Sequence, residues 1–197
     1  LPKISENFID ILENYEEERK NPKVDSEFSL KIEEDYAEDL DFFVKSVVSE
    51  PDKYSVSINS GDDKWLNAPF ANIFNEDAGE SYRSGLFVGY SFFPKKKLMY
   101  VKLDQGCKGL GGNFDLLFIR GEKLRSVLYD VPEEFQFDPS KCAAGNVIGK
   151  NYKIEDISEE ILEEDLKYLI ETYEMLMPFY KEIIQLSADE LVESLKN

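Results

Sequence analysis

Residues 85–106 read GLFVGYSFFPKKKLMYVKLDQG. Two strand-like runs, GLFVGYSFF and KLMYVKL, stand on either side of PKKK, whose proline and lysines suit a tight, solvated connection. This is the pattern of a β-hairpin. Upstream, YSVSIN (Tyr54–Asn59) alternates with period two, as a half-buried strand does. APFANIF (68–74) reads as a further short strand, weakened by its proline. The links between these runs are too short for helical crossovers, so the expected sheet, about residues 54–104, is mainly antiparallel.

Helical periodicity brackets this sheet. Ser5 can cap a helix with Phe8, Leu12 and Tyr15 on one face, ending at Asn21-Pro22. A second helix is expected over 36–49 with Leu40, Phe43 and Val47 as its buried row, closed by Pro51. Asn113 can cap a helix to about Tyr129. The stretch from Val131 to Ile157 reads as irregular, with a short edge strand at Phe135–Phe137. From Ser158 a long helix carries Leu162, Leu166, Leu169, Tyr173 and Leu176 in one stripe, and Pro178 is expected to kink or end it. Ser187 and Glu190 form a capping box for a last helix. The expected class is α+β: a single domain over residues 1–197, its central sheet flanked by acidic helical arms at 1–50 and 158–197.

The chain contains no histidine. That excludes Ser-His-Asp and Cys-His catalysis, imidazole acid–base steps and His-containing zinc sites. Two cysteines, Cys107 and Cys142, make neither a disulfide framework nor a ligand cluster. They suit a reducing, cytoplasmic setting. No apolar run approaches the roughly 18 residues of a membrane span. We expect no membrane association, no cofactor, no metal and no enzymatic activity.

Between Leu103 and the helix after Asn113 lies GCKGLGG (106–112), in the position where nucleotide-binding proteins cradle a phosphate. It lacks the Gly-Lys-Ser/Thr ending of a P-loop. It also lacks the third glycine of G-x-G-x-x-G, having Asn113 and Phe114 after Gly109 and Gly111. It reads as a corner. Acidic pairs such as SEEILEEDL read as solvated helix faces, and Asp165-Leu-Lys167 as surface.

With 41 acids against 23 Lys and Arg, the net charge of −18 opposes nonspecific nucleic-acid binding. The charge is unevenly placed. From Ser81 to Arg125 nine basic residues face three acids, so a basic middle separates two acidic arms.

VSINSGDDKWLNAPFANIF followed by SGLFVGYSFFPKKKLMYVKLDQG resembles the N-terminal domain of the McrB-type methyl-directed restriction proteins. The shared features are a strand, a glycine-containing loop with an aromatic, a proline followed by an aromatic, and a Gly-led strand. A strand ending in Leu-x-Gln-Gly completes the set. GKNYKIEDI and LEEDLKYLIETYEML resemble the family's closing segments, so the likeness spans about residues 54–177. It implies an α+β domain that senses a modified, typically methylated, base in double-stranded DNA. In some members it does so by flipping that base into an aromatic pocket. Such domains serve modification-dependent restriction systems in antiviral defence, beside a GTPase motor and a separate nuclease subunit. The implied base pocket comprises Asn59, Ser60, Trp65, Phe70, Phe87 and Ser91. The implied DNA-backbone contacts are Lys64, Arg83, Lys95, Lys96, Lys97, Lys102 and Lys108. Asn59 and Ser60 stand where one member carries an aromatic, with Trp65 nearby to supply the ring, and Phe70 stands where tryptophan is common. The alternative is an acidic protein-interaction domain of the same fold that does not bind DNA.

Overall fold

The computed structural model describes residues 3–137 and 144–196. Five strands form one antiparallel sheet in sequence order: β1 (Tyr54–Asn59), β2 (Phe70–Asn75), β3 (Leu86–Phe93), β4 (Leu98–Gln105) and β5 (Ile148–Lys153). The central hairpin pairs Leu86 with Gln105 at one end and Phe93 with Leu98 at the other. Lys97 closes its turn in the left-handed conformation, at φ 53°.

Six helices are described: α1 (Ile4–Glu18), α2 (Glu27–Leu30), α3 (Ala37–Val47), α4 (Phe114–Ser126), α5 (Glu159–Ile183) and α6 (Ala188–Leu195). A π-helical stretch, Lys31–Tyr36, joins α2 to α3. The second helical run therefore starts well before residue 36. Its buried row is Tyr36, Leu40, Val44 and Val48, not the row through Phe43 and Val47. The helix containing Pro178 is not ended by it but continues to Ile183.

Alternation along the strands gives the sheet two different faces. One carries Ile58, Ile73, Val88, Tyr90, Phe92, Val101 and Tyr152, all buried. There Phe8 of α1 meets the rings of Tyr90 and Phe92 at 4.9 and 5.1 Å. From α5, the Tyr173 hydroxyl donates to the Leu86 carbonyl at 2.6 Å. The other face carries Phe70, Asn72, Phe87, Ser91, Tyr100 and Lys102. It is partly roofed by loops, with the Tyr100 hydroxyl donating to Asn146 at 3.4 Å.

Two expectations are corrected on the helical side. The segment read as irregular contains β5, whose Gly149 also bridges to Gln136 inside the expected 135–137 edge strand. Asp165 is not a surface residue. It is 8% exposed and accepts from the Lys150 ammonium at 2.7 Å and from the Tyr152 hydroxyl. Burial, followed by this bond to Asp165, drives the Tyr152 hydroxyl far above its ordinary pKa.

Candidate nucleic-acid interface

On the face turned away from α1 and α5 lies a cavity of about 430 Å3. Phe70 on β2 and Phe87 on β3 both line it, with Ser91 and Lys102. Tyr82 stands edge-on to Phe87, ring centroids 5.9 Å apart, and the Arg83 guanidinium lies over Tyr82 at 5.8 Å. Arg83 and Lys108 line the cavity from two loops and are themselves exposed. Those loops meet through backbone bonds: the Lys108 N–H donates to the Arg83 carbonyl, and the Gly106 N–H to the Gly85 carbonyl, both at 2.8 Å.

The polar groups in this wall are unevenly satisfied. Lys102 pairs with Asp104 at 2.8 Å, and Asp104 also accepts the Gln105 N–H at 2.8 Å. The side-chain amide nitrogen of Asn72, by contrast, is buried and has no hydrogen-bond partner among the described residues. Gly89 lies opposite both Asn72 and Lys102 in the ladder. A Cβ there would sit 3.2 Å from the Ala71 carbonyl oxygen, 3.2 Å from the Phe87 ring and 3.6 Å from Lys102 Cε. The absent side chain lets the Phe87 ring lie close over the strand, while the lysine stem stands at an ordinary contact distance.

Six expected site residues therefore meet at one cavity: Phe70, Phe87, Ser91, Arg83, Lys102 and Lys108. The others lie elsewhere. Asn59 accepts the Gly61 N–H at 2.7 Å, which closes a local turn. Ser60 is fully buried, and its N–H and hydroxyl donate to Glu33 at 3.0 and 2.6 Å. Lys23 completes that cluster at 3.2 Å from Glu33. Burial raises the Glu33 carboxyl pKa, but the Ser60 bonds and then Lys23 outweigh it, leaving the pKa below its ordinary value.

Trp65 is half-buried against Tyr15, and its indole N–H donates to the Asn21 carbonyl at 2.8 Å. The Tyr15 hydroxyl binds the carbonyls of Ser60 and Leu66, at 3.1 and 2.9 Å. Trp65 thus anchors the 60–68 loop to α1 without lining the cavity. Lys64 is exposed on that loop. Lys95 and Lys96 are exposed on the hairpin turn, and the Lys97 ammonium donates to the Leu12 and Glu13 carbonyls of α1 at 2.9 and 3.1 Å.

Asn72, Tyr82, Gln105 and Cys107 also line the cavity and are not among the site residues expected from the sequence, although Gln105 belongs to the Leu-x-Gln-Gly strand ending. For Asn72 a signal existed, since it is the polar residue of FANIF two positions from Phe70 and so shares its face. Nothing comparable marks Tyr82, which reaches the cavity from a loop. Cys142 lies outside the described residues. The glycine loop is a corner: Gly109, Gly111 and Gly112 have φ of 88°, 58° and 80°, and Asn113 then caps α4 by accepting the Leu116 N–H at 3.1 Å. Among the described residues no three acids or cysteines converge as a metal-binding group, and no helix is long and apolar enough to cross a membrane.

The family model described as MrcB-like, N-terminal domain matches residues 10–178, and the chain belongs to that family. Comparison with curated proteins gives no match.

Proposed function

We propose that this MrcB-like N-terminal domain is a DNA-binding sensor that takes a modified, methylated base from duplex DNA into the cavity lined by Phe70 and Phe87. The observation that carries the reading is that aromatic cavity together with the cations Arg83, Lys102 and Lys108 on a body of net charge −18. The volume lies within the range of about 300–1,000 Å3 usual for small-molecule sites. Flipping a base costs a few kcal/mol, and stacking on an aromatic ring returns about 1–3 kcal/mol. A buried methyl adds about 0.8 kcal/mol. Acidic arms repel phosphates everywhere except near the basic loops, so nonspecific affinity stays low and discrimination rests on the cavity.

On this reading the domain is the targeting part of a modification-dependent restriction system. Hydrolysis and cleavage belong to partners, a GTPase motor and a separate nuclease, and the domain itself catalyses nothing. The test is a binding array of duplexes that differ only in one base: unmodified, 5-methylcytosine, 5-hydroxymethylcytosine or N6-methyladenine. One modified duplex should bind at least tenfold more tightly than its unmodified twin. Equal, weak binding to all would favour the second reading, an acidic protein-interaction domain, which the net charge of −18 supports.

A further inference from the structure

We propose that Asn72 reads the hydrogen-bonding edge of the base that enters the cavity, by donating its side-chain amide to a ring-nitrogen or carbonyl acceptor. The inference rests on the base-sensing reading above and adds to it the residue that recognises the base's polar edge.

Three observations converge on this side chain. Asn72 lines the cavity and is 4% exposed, yet its amide nitrogen has no partner among the described residues. Buried donors are almost always satisfied, and one that is not calls for a ligand or water to complete it. Strand geometry gives the direction: Asn72 follows Phe70 by two residues, so both side chains leave β2 on the cavity face. The ladder then explains why no neighbour satisfies it. The residue opposite on β3 is Gly89, which has no side chain, and the residue opposite on β1 is the exposed Ser57.

The chemistry of the ligand follows from the donor. A free N–H2 at the wall of an aromatic cavity selects a neutral planar ring that presents an acceptor, and it disfavours an ammonium or other pure donor. Cytosine-type bases offer both a ring nitrogen and a carbonyl on the edge a flipped base exposes, leaving the 5-substituent to the aromatic side. Stacking on Phe70 and Phe87 is blind to base identity, because every base has a π-face. The amide contributes what the rings cannot.

The experiment compares the wild-type chain with Asn72→Val and Asn72→Asp, using fluorescence anisotropy on a duplex with one central 5-methylcytosine and on its unmodified twin. Valine keeps the strand and removes the donor; aspartate keeps the shape and replaces the donor with an acceptor. The expected result is a loss of at least tenfold in affinity for the modified duplex in both variants. The unmodified duplex, held through the exposed cations without its base in the cavity, should stay within twofold, and thermal unfolding of Asn72→Val should be no lower than wild type. Affinity for the modified duplex that stays within twofold of wild type in both variants overturns the role of Asn72 and leaves base sensing intact. If either variant unfolds early, the other decides by the same criterion. A wild-type chain with no preference overturns the base-sensing reading, and the edge-reading role falls with it.

Discussion

The ring of Trp65 stands edge-on to that of Tyr15, centroids 5.2 Å apart and planes at 86°. With its N–H on the Asn21 carbonyl and the Lys23 ammonium 5.8 Å over its face, the only tryptophan of the chain has its contacts within the protein. Trp65→Ala is expected to cost about 3 kcal/mol of stability, read by urea unfolding followed by far-UV circular dichroism. Emission of the wild-type indole should be unchanged by saturating DNA. Strong quenching by modified DNA, with little loss of stability on substitution, would move Trp65 into the site.

Glu33 ties the same region to pH. Its folded pKa lies below the ordinary 4.5, because the bonds from Ser60 and Lys23 outweigh burial. A depressed carboxyl stabilises the fold above its unfolded pKa, and that contribution is lost as pH falls through the folded value. Melting temperature should therefore drop below about pH 4.5 more steeply in wild type than in Glu33→Gln. At neutral pH the variant should be the less stable of the two. Parallel acid limbs would remove Glu33 from the account.

The cations divide by position. Lys97 is spent on α1, whereas Arg83 and Lys108 are exposed at the cavity. Arg83→Gln and Lys108→Gln are each expected to weaken DNA binding similarly for all sequences and to reduce the salt slope by about 0.9. Lys95→Gln with Lys96→Gln should change the slope less. The reverse order, measured by titration at several salt concentrations, would put the DNA on the hairpin turn instead.

The hairpin and its antiparallel neighbours were legible because GLFVGYSFF and KLMYVKL are strongly apolar and their connection is short. The fifth strand was not, because Lys150 occupies an inward position of NVIGKNYK and breaks the alternation. Asp165, 15 residues away on α5, pairs with that lysine, whose ammonium also lies over the Phe135 and Tyr152 rings at 5.7 and 5.1 Å. The basic middle was visible as composition, but the sequence could not divide it. Topology sends residues 94–97 to one end of a hairpin of two eight-residue strands and 105–108 to the other, about 24 Å apart at a strand's rise. Phe70 and Phe87 could be named from their strands. The loop that brings Tyr82 onto Phe87 leaves no periodic trace.

The Lys150–Asp165 pair makes its own prediction. Lys150→Met removes one partner of a carboxylate whose side chain is 11% exposed, leaving Tyr152 as its remaining described hydrogen-bond donor. The expected cost is about 3 kcal/mol. Replacing Lys150, Asp165 and Tyr152 together with Met, Leu and Phe, which leaves no hydroxyl without its acceptor, should recover most of it, as measured by denaturant midpoints. If the triple variant is no better than the single, the pair is not what holds β5 to α5.

Gly89 offers the sharpest test of the cavity, because its role is spatial. A glycine in the middle of a strand costs order and leaves the ladder without a packing side chain. Alanine would relieve that entropy by about 0.5–1 kcal/mol, but its methyl would meet the Ala71 carbonyl oxygen and the Phe87 ring at 3.2 Å each. The two effects oppose each other, so Gly89→Ala is expected to melt within a few degrees of wild type. Binding should respond differently. The methyl crowds the Phe87 ring from its place over the strand, and that ring lines the space proposed for the base. Gly89→Ala should lose about tenfold in affinity for the modified duplex, and Gly89→Val more. Binding to unmodified DNA through the exposed cations should persist. A correctly folded Gly89→Val chain that discriminates modified from unmodified DNA as well as wild type would show that the base enters somewhere else.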